Sequence, residues 1–383
     1  MYQAVNRYAI KDFFYNATRL ELNADQFFVR AYTSFEDAGN SYDTRFTAIN
    51  INRRWDSDQQ WFQQYFFAYS GLINQFISGI GSTEFVTPGN HDAARRFADY
   101  SLNDRGVNIY NLLVSQNPAG AGLYQTFAGG IRKDPGSPEY QQAFEEVTGK
   151  VGFANGGSKF YDKTWFYHTE AQYDFKNEIK WMSLIAGGSY RQFFLNSAGT
   201  IFSDTAGRKL TNSEIGFYVQ AMKEFGRLRI TASTRLDKNN NFRAQLTPRI
   251  ALVYSLDEQR NHNVRASFQT GFRTPTLQAQ YIDLDLGAFK YIGGLKDSDE
   301  HYNIINNNFT QTSVNQFIET GDESKLQQFV VEDVKPESVQ NIEVGYKGLF
   351  FNKLFVDANA FWSNNHDFLG AITFVGPRMF GDS

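Results

Sequence analysis

A chain of 383 residues with no cysteine, 20% charged residues and a formal charge of -4 excludes disulfides, thiolate metal sites and cysteine nucleophiles. Its acidic balance also argues against a nucleic-acid surface, which needs clustered positive charge. Mean hydropathy is -0.47, and no run approaches the roughly 20 apolar residues of a spanning helix, but strands that show only alternate residues to lipid escape that limit.

The start, Met1-Tyr-Gln-Ala-Val-Asn-Arg-Tyr8, lacks the basic and apolar regions of a signal peptide, so the chain is expected to be a piece of a longer protein. Two strands come first, Phe13 to Leu22 and Phe27 to Ser34. A connection from Phe35 to Ser158 follows and has structure of its own. Ser57-Asp-Gln-Gln60 fits a capping box, and Trp61, Tyr65, Tyr69, Leu72, Ile73 and Phe76 recur at helical spacing until Gly79 and Gly81. His91 to Arg96 reads as a helical segment with two cations, and another helix begins at Ser137-Pro138, where proline suits the first helical position.

Trp165, Tyr167, Ala171, Tyr173 and Phe175 then oppose Phe166, His168, Glu170, Gln172 and Asp174, an apolar face against a polar one over the length of a membrane-crossing strand. Comparable faces run through Met182-Leu184-Ala186, Ile215-Phe217-Val219-Ala221, Leu228-Ile230-Ala232-Thr234-Leu236, Ile250-Leu252-Tyr254-Leu256, Val264-Ala266-Phe268, Ile342-Val344-Tyr346 and Leu354-Val356-Ala358-Ala360-Trp362. These faces are expected to meet lipid, because the opposite choice exposes Arg229, Arg235 and Arg265 to hydrocarbon. Phe and Tyr, 37 and 21 in number, suit girdles at two membrane interfaces.

Short turns at Asn23 to Gln26, Lys176 to Glu178, Phe225 to Arg227, Asp257 to Asn261 and Phe350 to Asn352 alternate with connections that are usually longer, Phe35 to Ser158, Asn196 to Asn212, Lys238 to Arg243 and Thr274 to Ser338. Bacterial outer-membrane barrels have short periplasmic turns and longer extracellular loops, so 35–158 and 274–338 are expected outside the cell.

Gly271-Phe-Arg-Thr-Pro-Thr-Leu277 ends one strand; Lys335-Pro-Glu337 and Ile342-Glu-Val-Gly-Tyr346 lead into and form a later one. Proline ends ladder pairing, so Arg273 and Pro275 read as strand termination, and Pro336 with Glu337 as the start of the next strand. This arrangement resembles the barrel of TonB-dependent outer-membrane receptors, closest to the Bacteroidetes type, across most of the chain. The resemblance implies an all-β, antiparallel transmembrane β-barrel, of which this chain supplies the middle half of about 22 strands around a plugged lumen, without the plug and the closing strands. It implies a bacterial outer-membrane location and active import of a glycan, peptide or metal chelate, energised through TonB, with a surface lipoprotein as a further partner. It also implies that Glu343 pairs with a plug arginine; the alternative for that residue is a hydrated lumen carboxylate. The acidic residue that often follows the family's arginine and proline is replaced here by the neighbourhood of Ala279 and Gln280.

Catalysis has little support: His91, His168, His262, His301 and His366 are scattered without HExxH spacing, and no Gly-x-Ser-x-Gly elbow is present. Ligand contacts are expected from loop aromatics and charges, with Trp55, Trp61, Arg95, Arg96, Asp283 and Tyr291 as candidates. Asp283, Asp285, Asp297, Asp299 and Glu300, near His301, offer oxygens to calcium, although their spacing does not match a 12-residue calcium loop. No other cofactor is expected. A structural or secretion-associated barrel that scaffolds surface proteins is the competing function.

Overall fold

The computed structural model describes residues 7–55, 57–71, 89–101, 133, 135–205, 207–285, 289–329 and 331–376. Two compact units divide the chain, one of residues 1–14 and 38–161, the other of 15–37 and 162–383.

The described strands are β1 (Tyr8–Ala9), β2 (Phe14–Asn23), β3 (Phe27–Asp37), β4 (Tyr42–Asp43), β5 (Trp165–Asp174), β6 (Ser183–Leu195), β7 (Leu210–Phe225), β8 (Leu228–Asn239), β9 (Gln245–Ser255), β10 (His262–Arg273), β11 (Asp283–Asp285), β12 (Lys290–Ile292), β13 (Glu337–Phe350) and β14 (Leu354–His366). Ten of them form one sheet in which each strand lies beside its predecessor, β2-β3-β5-β6-β7-β8-β9-β10-β13-β14. β2 and β14 are its edges and do not pair with each other. From β3 onward the pairs are antiparallel.

A meander sends successive connections to alternate ends. One end therefore gathers 24–26, 175–182, 226–227, 256–261 and 351–353, and the other the close of β3, the start of β5, 196–209, 240–244 and 274–336. The β5–β6 connection is longer than the expected turn, because the carbonyl of Phe175 accepts from both Glu178 N (3.1 Å) and Ile179 N (2.8 Å), inserting a helical turn before Trp181. β6 and β7 also run further than their alternation suggested. The outer end of β6 is held to β5 by ring contacts, Trp165 on Phe194 (4.1 Å) and Phe166 on Phe193 (5.0 Å), and that of β7 by Leu210, which packs with Leu195, Phe202 and Tyr281; propensity along one strand reports neither.

Directly opposed residues of an antiparallel pair share a face. Following the registers, Ala171 meets Gly188, Phe217, Leu236 and Leu246 in turn, and Phe225 meets Leu228, Tyr254, Val264 and Tyr346. Another row joins Ala221, Ala232, Ile250, Phe268, Ile342 and Trp362. One side of the sheet is thus continuously apolar, and its large residues are exposed, Phe217, Ile250, Val344 and Trp362 among them. Arg229, Arg235 and Arg265 occupy the other parity. At the short-turn end the apolar face carries Lys223, whose ammonium lies 4.4 Å from the Trp181 ring centroid and 5.1 Å from that of Phe225, as an amphipathic side chain does at a membrane interface.

The first unit is built on α1 (Thr44–Trp55), α2 (Asp58–Ser70), α3 (His91–Ser101) and α4 (Pro138–Gly149). Ser57 and Gln60 close the expected capping box, but α2 stops at Ser70, where Gly71 takes a left-handed conformation (φ 76°) and its N–H returns to Ala68 O. Leu72, Ile73, Phe76, Gly79 and Gly81 lie outside the described residues. α4 begins as expected, with Ser137 Oγ accepting from Tyr140 N (3.2 Å). Asn50 of α1 donates to the carbonyls of Phe153 (3.1 Å) and Gly157 (2.7 Å), and Phe46 stacks on Phe153 (4.4 Å). No described helix is long and apolar enough to cross a membrane.

Asp43 caps α1 through Phe46 N (2.9 Å), yet it is fully buried and its second carboxylate oxygen has no partner. Burial pushes its pKa up against the opposing hydrogen bonds from Phe46 and Arg45. A carboxyl raised in the folded state contributes most below its unfolded pKa, and that contribution is lost as pH rises through the folded value. Asp43→Asn should therefore flatten the fall in stability from acid to neutral pH while keeping the cap, whereas Asp43→Ala should cost about 0.5–2 kcal/mol. Proteolysis of segment 38–161 between pH 4 and 8 reads both; an unchanged pH profile for Asp43→Asn would count against the assignment.

Candidate functional site

The wet face of the sheet is an array of cations paired with acids on the same or neighbouring strands. Arg30 pairs with Glu170, Arg191 with Glu214, Arg229 with Glu224, and Arg235 with Asp237. His168 stacks on Tyr32 (4.8 Å) and approaches Glu170 (3.4 Å). Tyr218 lies over its register partner Gly187 and reaches Gln172 (2.6 Å); a Cβ at Gly187 would sit 2.6 Å from that ring.

The Glu-x-Gly segment has a comparable explanation. Gly345 faces Arg265 in register, and a Cβ there would come 2.7 Å from Arg265 Nε. The bare glycine lets the guanidinium lie across β13, where it meets Glu343 (3.6 Å) and Asp357 (3.0 Å). Asn359 also donates to Glu343 (3.3 Å). One cation thus serves two carboxylates, with Lys347 directly opposite Asp357 in register. Gly345 belongs to the Glu-x-Gly segment singled out in sequence, whereas Asp357, on the neighbouring strand, was not, since only the register brings it to Arg265.

The two proline motifs meet. Arg273 is the last residue of β10 and Glu337 the first of β13, and they are register partners. Their side chains make a two-point ion pair, Nε to Oε2 at 2.6 Å and Nη2 to Oε1 at 2.8 Å, which closes the base of the 274–336 connection. Pro275 and Pro336 stand just inside that clamp. Above it, α5 (Leu277–Tyr281) is capped by Thr276, whose hydroxyl accepts from Ala279 N (3.1 Å). Gln280 is 1% exposed. It donates to Pro275 O (2.7 Å) and accepts from Asn212 (3.1 Å) and Asn241 (2.7 Å). Tyr281 packs with Leu195, Phe202 and Leu210 and donates to Thr211 O (3.2 Å). The position where the resemblance led one to look for an acid holds an amide that ties the loop to the sheet rim.

Asp283 faces Lys290 (2.7 Å) and accepts from the Tyr302 hydroxyl (2.6 Å). Burial, and then the hydrogen bond to Asp283, push the Tyr302 hydroxyl pKa up. Asp297 pairs with Arg208, and Glu300 with Lys296 (3.4 Å). Among the described residues no three acids or histidines converge on a metal position. Of the carboxylates considered for calcium, Asp283, Asp297 and Glu300 each meet a cation of the chain. Tyr291 is half exposed beside Phe289 (5.3 Å), so it remains accessible to a ligand while Asp283 is occupied.

In the first unit, Trp61 donates to Asp99 (3.1 Å), and Arg95 approaches the same carboxylate (3.9 Å), so these two candidates converge on one acid. Trp61, Tyr65 and Tyr69 form a ring ladder along α2, spaced 5.7 and 5.9 Å, which ends on His91 4.6 Å from Tyr69. Trp55 is the last residue of α1, partly buried and apart from that ladder in sequence. The Arg96 side chain lies outside what is described.

A family model described as "TonB dependent receptor-like, beta-barrel" matches residues 2–379. No curated protein matches the chain in sequence. Similar solved structures include the siderophore receptor PirA from Pseudomonas aeruginosa, at 15% identity and a TM-score of 0.37 over 54% of this chain and 33% of that one. The FrpB iron transporter from Neisseria meningitidis (F3-3 variant) follows at 12% and 0.38, over 92% and 34%. The siderophore receptor PirA from Acinetobacter baumannii is similar at 12% and 0.34, over 93% and 44%. The chain thus spans less than half the length of each of these proteins.

Proposed function

Since the chain belongs to the TonB-dependent receptor β-barrel family, we propose that the protein of which it is part imports a nutrient across the bacterial outer membrane with energy delivered through TonB. The observation that carries this reading is the continuity of the two faces: apolar rows cross the sheet without a charge at mid-strand, and ion pairs cover the other side. Such a sheet fits lipid on one side and an aqueous, plugged lumen on the other. The 38–164 and 274–336 connections then lie outside the cell, where Trp55, Trp61, Arg95, Arg96 and Tyr291 are candidates to meet a glycan, a peptide or a metal chelate. A surface lipoprotein is a further candidate partner on that side.

Glu343 would face the plug, and its contact with an Arg265 that lies closer to Asp357 leaves it able to meet a plug cation. Growth on each nutrient class as the limiting source tests the reading, with the gene deleted or TonB depleted. One class should fail in both strains; growth that survives TonB depletion would favour a passive or scaffolding barrel. Glu343→Gln should change barrel stability by under about 1 kcal/mol, since half-exposed ion pairs are worth little. It should nevertheless loosen the plug, read as easier urea-induced plug exposure in the full-length protein. Unchanged plug exposure would return Glu343 to an ordinary lumen carboxylate.

A further inference from the structure

One arginine of the wet face breaks the pairing rule. Arg30, Arg191, Arg229, Arg235, Arg265 and Arg273 each have a carboxylate within 4.0 Å. Arg249, near the middle of β9, has none among the described residues and is exposed. Its register neighbours explain why. Gln220, Ser233, Arg249, Gln269, Asn341 and Ser363 form one row across six adjacent strands, in which every other member is a neutral amide or hydroxyl. The carboxylate of Glu343 stands two strands away and one step along, where Arg265 and Asn359 already hold it.

Resting on the transport reading above, we infer that Arg249 and its amide row form a docking point for a carboxylate carried by the polypeptide that plugs the lumen. An unpaired guanidinium within a membrane-embedded barrel attracts an anion across a low-dielectric wall, and a fork of N–H donors takes a carboxylate at two points. The flanking amides and hydroxyls, strand-spaced at about 4.8 Å, offer donors and acceptors to an inserted peptide backbone. A permanent occupant fits better than a passing one, because the other arginines of this face all have partners within the chain. The polarity is the reverse of Glu343, so the two positions would bind opposite charges on one inserted body.

Zero-length crosslinking of the full-length protein tests this. In Arg249→Lys, carbodiimide activates a nearby carboxyl group, the new amine displaces the urea by-product, and an amide bond forms that mass spectrometry locates. The expected bond is to an Asp or Glu of the plugging segment, formed without added nutrient. Arg249→Glu should raise vancomycin influx into cells about tenfold, the scale of one lost charge-assisted hydrogen bond, and Arg249→Lys should restore most of the barrier. A crosslink that forms only when an acidic nutrient is added would assign the site to cargo and overturn the proposal. So would a crosslink to a barrel acid, or no crosslink with influx unchanged. Nutrient uptake by the unaltered protein is scored separately, so a failed transport reading and a failed Arg249 contact give different results.

Discussion

Ile250→Arg is expected to be the most damaging single surface change in this sheet, although its side chain is 43% exposed. Its register neighbours are Ala232 and Phe268, and the same row continues to Ile342 and Trp362. An arginine near the middle of that band would sit in hydrocarbon with no counter-charge beside it. The cost of such a placement on a barrel is about 2–4 kcal/mol, roughly 30- to 900-fold in the folding equilibrium. Gln220→Arg adds the same charge to the opposite parity, beside Ile185 and Ser233, and should cost under about 1 kcal/mol. Reversible unfolding of the full-length protein in phospholipid bilayers compares the two. The reverse order of effects would mean that the faces are assigned inside out.

Gln280→Ala should unfasten the 274–336 connection while leaving the sheet intact. The amide is fully enclosed and makes three hydrogen bonds to groups that water does not reach easily: Pro275 O, Asn212 Nδ2 and Asn241 Nδ2. Asn212 and Asn241 each keep the Tyr281 hydroxyl as a second acceptor, so the loss falls chiefly on Pro275 O and is about 1–3 kcal/mol. A Cβ at Gly293 would lie 2.4 Å from the backbone carbonyl of Gln280, which shows how closely the loop backbone is folded upon itself. Protease cutting within 274–336 should accelerate, with barrel unfolding unchanged. If Gln280→Ala leaves the loop as resistant as before, the Arg273–Glu337 clamp and the Tyr281 cluster suffice to hold it.

The strands were legible because alternation is a local signal: a period of two at Trp165 to Phe175 or Leu228 to Leu236 says which residues share a face before any partner is known. Helix starts were legible for the same reason, since the reciprocal bonds of Ser57 with Gln60 span one turn. Helix ends were not, because the apolar recurrence continues past Gly71 into Leu72 and Ile73 and only the left-handed Gly71 shows the stop. Strand lengths fell short in β6, whose outer end is held by rings of β5, and in β7, whose Leu210 packs with Leu195, Phe202 and Tyr281.

Candidate site residues divide along the same line. Aromatics and charges in long connections could be named, yet whether a charge is free depends on residues remote in sequence: Arg273 and Glu337 are 64 positions apart, and Lys290 claims Asp283 only because a small hairpin brings them together. Arg249 passed unnoticed because a cation on a wet strand face is ordinary until its neighbours' partners are known.

By itself the sequence determined the all-β class, the two faces of each strand, and the alternation of short and long connections, all consequences of backbone period and turn chemistry within a few residues. Only the tertiary structure decided the register, and with it every pairing across strands: the shared Arg265, the closed loop base, the buried Gln280 and the unpaired Arg249. The physical reason is that a ladder fixes contacts between residues tens of positions apart, and a slip of one residue would turn each of these side chains to the opposite face.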